Sequence, residues 1–302
     1  MLIEQLRKIV DVADAMIWAV RPYRNRVIAK WIDTGLSNPF ERAVIRRFNE
    51  AYYTLSEREQ DDIVTLLWNE GVSEKYADLY QHKPWGKDYF AEHNLELNYW
   101  GPLWEFLEMH LAATSGLTIL QLGTSSGREI AYFAGKFPQH QFLGSDLSEK
   151  ATARCNAFWK KIPNLRFVVL DARKIEEFTP VPDVCISSAT ICLLQPQRLD
   201  AFFQKIAAHW PHTIMCIDEP IGGSYCRGNL GYSLKLDTES QPRGTANWSH
   251  NYCAVARRAG FEVLLCAEHN PCSYEYLVTT NNYRHAMLRR AHVAARYRRA
   301  GA

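Results

Sequence analysis

The chain has 302 residues, 47% of them hydrophobic and 23% charged, with a formal net charge of +2. That is enough for one large core plus an appendage, and it excludes disordered and fibrous classes. No apolar run reaches the roughly 18 to 20 residues of a membrane span, and Glu4, Lys8, Asp11 and Asp14 interrupt a stretch that a signal peptide would keep apolar, so a cytoplasmic protein is expected. The eight cysteines form no C-x-x-C pair. Cys185, Cys192, Cys216 and Cys266 lie in or beside apolar runs and read as buried free thiols. The ten histidines show no H-E-x-x-H or finger spacing, so no metal site is expected.

In chain order, residues 1–114 have helical periodicity. Leu2, Leu6, Ile9, Ala13, Met16 and Val20 form one helical stripe ended by Pro22, a docking surface that would serve a homodimer as well as a monomer. Ser56 and Glu59 spell a capping box ahead of Ile63, Val64, Leu66 and Leu67, with Gly71 closing that helix. The segment from Asn94 to His110 is rich in aromatic residues (Tyr99, Trp100, Trp104, Phe106), which suits core packing against the next domain, or a ligand mouth at Tyr99 and Trp100.

From residue 115 the pattern changes to strand LTILQL, helix Arg128 to Phe137, strand HQFLGS, helix Glu149 to Lys160, strand LRFVVL, strand DVCISS, helix Gln197 to His209 and strand TIMCID. A helix from Trp248 to Ala259 and the strands FEVLLCA and SYEYLVTT follow. This alternation predicts an α/β fold: a doubly wound, mostly parallel seven-stranded sheet with an antiparallel last strand, preceded by the helical N-terminal region. Only a few residues separate the last two strands, too few for a crossover, so they should pair with each other antiparallel. The domain is expected over residues 115–282. Residues 283–302 hold six arginines and no acid, and read as a basic tail, solvated, docked on an acidic face, or touching an anionic surface.

Gly123-Thr124-Ser125-Ser126-Gly127 lies between an apolar strand and a helix, where backbone N–H groups can approach a polar ligand. Asp146 ends the next strand, placed to accept from ribose hydroxyls, and Asp171 ends the third. The carboxyl ends of successive parallel strands converge on one crevice.

The segments ILQLGTSSG, FLGSDLSE, VVLDARKI and PDVCISSA, in that order and spacing, resemble the successive cofactor motifs of class I S-adenosylmethionine-dependent methyltransferases over residues 115 to about 280. The resemblance implies S-adenosylmethionine as cofactor, with Gln121, Gly123, Thr124, Ser125 and Gly127 beside its methionine part. It also puts Asp146 and Leu147 at the ribose, Asp171 and Ala172 at the adenine, and Ser187 and Ser188 on the floor. Gln121 stands where that family usually has an acid, and Ser125 where it has a glycine, so the ammonium of the methionine moiety has lost a charged partner. Gln121 can still accept a hydrogen bond, and Ser125 can keep the turn if its dihedrals stay allowed.

Methyl transfer to a hydroxyl calls for alignment and for removal of a proton. Candidates to act there are His250 as base, with Glu219 and Tyr225; Asp218, Tyr99 and Trp100 are further residues that could lie over the crevice. A small-molecule acceptor is expected, on a similarity of WSHNY and RAGFEV to small-molecule, sugar-type O-methyltransferases, and nucleic acid is not the expected partner. Two other enzyme readings compete. Gly123 to Gly127 also spells the G-x-S-x-G elbow of α/β serine hydrolases, with Asp218 and His250 or His269 downstream, though no oxyanion loop precedes it. A nicotinamide-dependent dehydrogenase would need G-x-G-x-x-G, and the one Y-x-x-x-K match, Tyr132 to Lys136, falls inside a helix. A non-catalytic cofactor-fold protein is the remaining reading.

Overall fold

The computed structural model describes residues 52–53, 55–69, 81–82, 85–88, 100–221, 240–244, 247–269 and 290–298. The stripe from Leu2 to Val20, Gly71, Tyr99, Tyr225 and the SYEYLVTT segment lie outside them. The chain divides into two compact units, Met1–Val72 with Gly244–Ala246, and Ser73–Arg243 with Asn247–Ala302.

In the first unit, α1 (Glu57–Leu67) starts at Ser56, whose hydroxyl accepts from the Glu59 N–H while the Glu59 carboxylate accepts from the Ser56 N–H. Two backbone donors that a helix start leaves open are thereby satisfied, as the sequence indicates. Tyr52 and Ile63 are its buried pair.

The second unit runs α2 (Pro102–Ala112), β1 (Thr118–Leu122), α3 (Arg128–Lys136), β2 (Gln141–Asp146), α4 (Glu149–Phe158), β3 (Leu165–Val169), β4 (Val184–Ser188), α5 (Pro196–His209) and β5 (Ile214–Pro220). After β5, β6 (Gln241–Gly244) and β7 (Asn247–Ser249) make a two-stranded sheet of their own, followed by α6 (Tyr252–Arg258), β8 (Phe261–His269) and β9 (Arg290–Tyr297). The main sheet has seven strands in the order β3-β2-β1-β4-β5-β9-β8. Strands β1 to β5 are parallel, and β9 is antiparallel to both β5 and β8. Strand order reverses between β1 and β4, so a crevice opens at the carboxyl ends there.

Alternation along the strands sorts side chains into two cores. Leu120, Leu122, Cys185, Met215, Ile217, Val293 and Ala295 pack under α5 and α6. On the other face Ile119, Ile186, Cys216 and Ala294 pack with α2 and α3 through Trp104, Leu107, Ile130 and Phe133. Trp100 belongs to this second cluster, stacked on Phe133 with centroids 6.1 Å apart, so it fills core and does not line a mouth.

Three expectations are corrected. Among the described residues β8 pairs with β9, and Arg290–Tyr297 is an interior strand where a basic tail was expected. The six arginines obscured the alternation of Ala291, Val293 and Ala295, which all face one core, while Arg290 and Arg296 find carboxylates in Asp218 and Glu262. The domain limits move accordingly: the sheet extends past residue 282, and α2, which lies before residue 115, packs on β5, β8 and β9. Finally, Cys266 is not a free thiol. Packing of α6 on β8 brings it to Cys253, with Cα atoms 6.4 Å apart and a disulfide between them. Cys155, Cys185, Cys192 and Cys216 are free and buried.

Candidate active site

The turn after β1 is shaped by two glycines. Gly123 has φ +61, and a Cβ there would sit 2.2 Å from Thr190 Oγ1, so only glycine fits. Gly127 has φ +70 and caps the start of α3, with Phe167 and Trp159 against the space a Cβ would take. Between them Ser125 adopts φ 47, the left-handed conformation for which glycine is the usual residue. Thr124 fixes the turn from below: its N–H and its hydroxyl both donate to Ser145 O.

Asp146, at the end of β2, meets this turn directly. Its Oδ2 accepts from the Ser125 N–H and its Oδ1 from the Ser148 N–H, each at 3.0 Å. Leu147, beside it, is half-buried. Asp171 follows β3 as the N-cap of a 3₁₀ segment and holds the Arg173 guanidinium with both oxygens. Burial alone would raise its pKa, but the hydrogen bonds from Arg173 outweigh that and hold it below the usual range. Ala172 packs against the α5-side core.

At the ends of β4 and β5 the two sheet faces carry different polar groups. On the α5 side Glu219 is fully buried and accepts from Ser187 Oγ at 2.6 Å and from the N–H groups of Thr190, Ile191 and Cys192. This carboxylate pins the turn after β4 and faces four protein donors. It is a structural anchor, which corrects the expectation that it acts on a substrate. Burial raises its pKa despite those bonds.

The opposite face holds a second set. Asp218 accepts from the Arg290 guanidinium, from His292 Nε2 at 3.1 Å and from Ser188 Oγ at 3.2 Å. His292 Nδ1 accepts in turn from the Leu103 N–H at the start of α2. The desolvation that would raise the Asp218 pKa is outweighed by the Arg290 charge and the His292 hydrogen bond, which hold it well below the carboxylate range. On this face Gln121 is 2% exposed, and its Nε2 donates to Glu129 Oε2 at 2.7 Å while its Oε1 has no partner. Glu129, in the first turn of α3, was not anticipated from the sequence, although an acid two residues past the turn was open to view. Neither was the Arg290 and His292 pair, which comes from the supposed tail.

His250 is placed differently from the expectation. It is 1% exposed; its Nε2 donates to Leu194 O at 2.9 Å, leaving Nδ1 to accept from the Ser240 hydroxyl at 2.6 Å. Burial pushes its pKa down to about 4. Charging it at neutral pH costs ~4 kcal/mol, which cancels the ~10² to 10⁴-fold that base assistance contributes. His250 is therefore a packed, neutral histidine, although it borders a cavity of about 110 Å³ with Asn251, Glu268 and Ala291.

The hydrolase arrangement does not form. Ser125 Oγ is buried without a hydrogen-bond partner, and Asp218 is taken by Arg290 and His292, not by His250 or His269. The elbow also follows β1, the first of the described strands in chain order, where a hydrolase needs several strands before it.

The residues fit an S-adenosylmethionine molecule on three counts. A cradle at Gly123 admits no side chain, the Asp146 carboxylate stands against the turn at the Ser125 N–H, and the buried Gln121 carbonyl oxygen lacks a donor.

Residues 119–210 match a family described as methyltransferase domain. No curated protein matches the chain. Solved structures that resemble it include a TehB-like SAM-dependent methyltransferase from Corynebacterium glutamicum, at 16% identity and TM-score 0.46, covering 75% of this chain and 98% of that one. A S-adenosylmethionine-dependent methyltransferase from Mesorhizobium loti is similar at 18% and 0.45, covering 65% and 98%. Magnesium protoporphyrin IX methyltransferase from Synechocystis PCC 6803 with bound SAH is similar at 13% and 0.44, covering 65% and 79%. The family match and the site geometry, not these distant likenesses, carry the assignment. The crevice between the glycine turn and Asp146 lies inside the matched segment, and residues 119–210 carry a methyltransferase domain of the S-adenosylmethionine-dependent kind.

Proposed function

We propose that the enzyme methylates a hydroxyl oxygen of a small molecule. The cofactor, when bound, supplies an electrophilic methyl carbon on a sulfonium. The carrying observation is the charge at the crevice: Glu129 adds a carboxylate beside the mutually neutralised Asp218 and Arg290 pair. Such a lining favours a cation and opposes a phosphate backbone. Among the described residues of the arginine-rich segment, Arg290 pairs with Asp218, and Arg296 and Arg298 with Glu262.

In this reading Gly123, Thr124, Ser125 and Gly127 form the wall beside the methionine part, Asp146 and Leu147 hold the ribose, and Asp171 with Ala172 borders the adenine. Ser188 lines the floor, while Ser187 supports it through Glu219. Alignment of the acceptor is the main contribution of the protein, potentially several kcal/mol, and the hydroxyl proton leaves without His250. A cytoplasmic setting belongs to the same reading. The four buried free thiols support it, and the Cys253–Cys266 bridge is the feature it must accommodate.

The test is incubation with methyl-labelled S-adenosylmethionine and a panel of hydroxylated small molecules, amines, protein and nucleic acid. Label in a base-stable methyl ether of a small molecule is expected. Label appearing only in amines, protein or nucleic acid would overturn the acceptor assignment and leave the methyltransferase domain intact.

A further inference from the structure

We infer that Glu129 carries the negative charge that binds the ammonium group of the cofactor's methionine moiety, a task moved from strand β1 to helix α3 in this chain. The inference rests on the methyltransferase reading and deepens it. At Gln121, where the resemblance leads one to expect an acid, the chain has an amide, and the amide reaches across to the carboxylate of Glu129.

Three observations support the assignment. The Gln121 amide spends its N–H on Glu129, so its carbonyl oxygen is left buried and unpartnered at the same point. A buried acceptor without a donor is costly, and an ammonium has three donors to give. Glu129 itself is half-buried, whereas Glu219 and Asp218 are buried and held by protein donors. Burial pushes the Glu129 carboxyl pKa up, a cost that a bound ammonium would offset, and the charged groups around it are Arg128 on its own helix, Asp218 on β5 and Arg290 on β9. Arg290 is already committed to Asp218, so Glu129 holds a carboxylate for which the described residues offer no dedicated cation.

Calorimetric titration with two ligands tests this: S-adenosylhomocysteine, which has the ammonium, and 5′-methylthioadenosine, which shares adenosine and sulfur but lacks the amino-acid end. Glu129→Gln should weaken S-adenosylhomocysteine roughly tenfold or more, the loss of a charge-assisted hydrogen bond, and leave 5′-methylthioadenosine unchanged. The exchange Gln121→Glu with Glu129→Gln keeps one acid and one amide in the same pair, and should bring S-adenosylhomocysteine affinity back to within about threefold of the parent. Equal losses for both ligands, no loss for either, or a folded exchange variant that fails to recover would overturn the inference. The exchange variant decides the matter if the single variant does not fold. A parent protein that binds neither ligand would instead sink the cofactor assignment itself, an outcome separate from any result confined to Glu129.

Discussion

The two halves of the crevice are built by different means. At the ends of β1, β2 and β3 the wall consists of backbone held by local contacts: a glycine turn, a carboxylate one strand away, and a cap. At the ends of β4, β5 and β9 it is a buried polar assembly whose members are far apart in sequence, with Asp218 and Arg290 separated by 72 residues. The first half offers shape and hydrogen-bond acceptors to a ligand. The second half has most of its polar groups satisfied by one another, and so contributes mainly to holding the sheet together. Ligand binding and stability should therefore separate cleanly on mutation.

The largest effect is expected at Asp218. Asp218→Asn leaves Arg290 without its counter-charge in a buried site, and breaking such a pair costs about 3 to 5 kcal/mol, measurable as a shift in denaturation midpoint. Its pH dependence has a definite sign. Because the folded pKa of Asp218 lies below its ordinary value, the stabilisation is present above about pH 4 and is lost as pH falls further. Urea melts at descending pH should show this decline in the parent and a shallower one in Asp218→Asn; parallel curves would mean the pair contributes nothing. Asp146→Ala comes next. It should cut S-adenosylhomocysteine affinity roughly a hundredfold, through lost ribose acceptors and a loosened Ser125 turn, with at most about 1 to 3 kcal/mol taken from stability. An unchanged affinity would remove Asp146 from the site. The smallest effect is expected at Ser125→Gly, which relieves a left-handed residue and should raise stability by up to about 1 kcal/mol while preserving binding. A loss of binding there would show that the Ser125 hydroxyl has a ligand to meet.

What was legible in the sequence follows the same division. Parallel strands, the glycine turn, Asp146 and Asp171 are spelled by residues close together, because periodicity and strand-end position are local properties. Glu129 was equally local but hidden by its place in the helix, where an acid near the N-terminus is ordinary. The Asp218, Arg290 and His292 assembly could not be read locally. The composition of the final segment pointed to a solvated tail, while burial of its arginine depends on a carboxylate that only the sheet brings near. His250 failed for a related reason: its residue type suits a base, but Leu194 and Ser240, which occupy its nitrogens, lie 56 and 10 residues away.

The interior position of β9 has a consequence for how the molecule comes to be. Among the described strands, β8 joins the sheet through β9, and β9 comes last in chain order. During synthesis the parallel part can assemble early, but among the described strands β5 and β8 both wait for β9 to pair with them. Such a late-closing edge is exposed to intermolecular pairing. Shortening the chain before residue 290 would therefore leave the β5 edge open and the sheet unfinished.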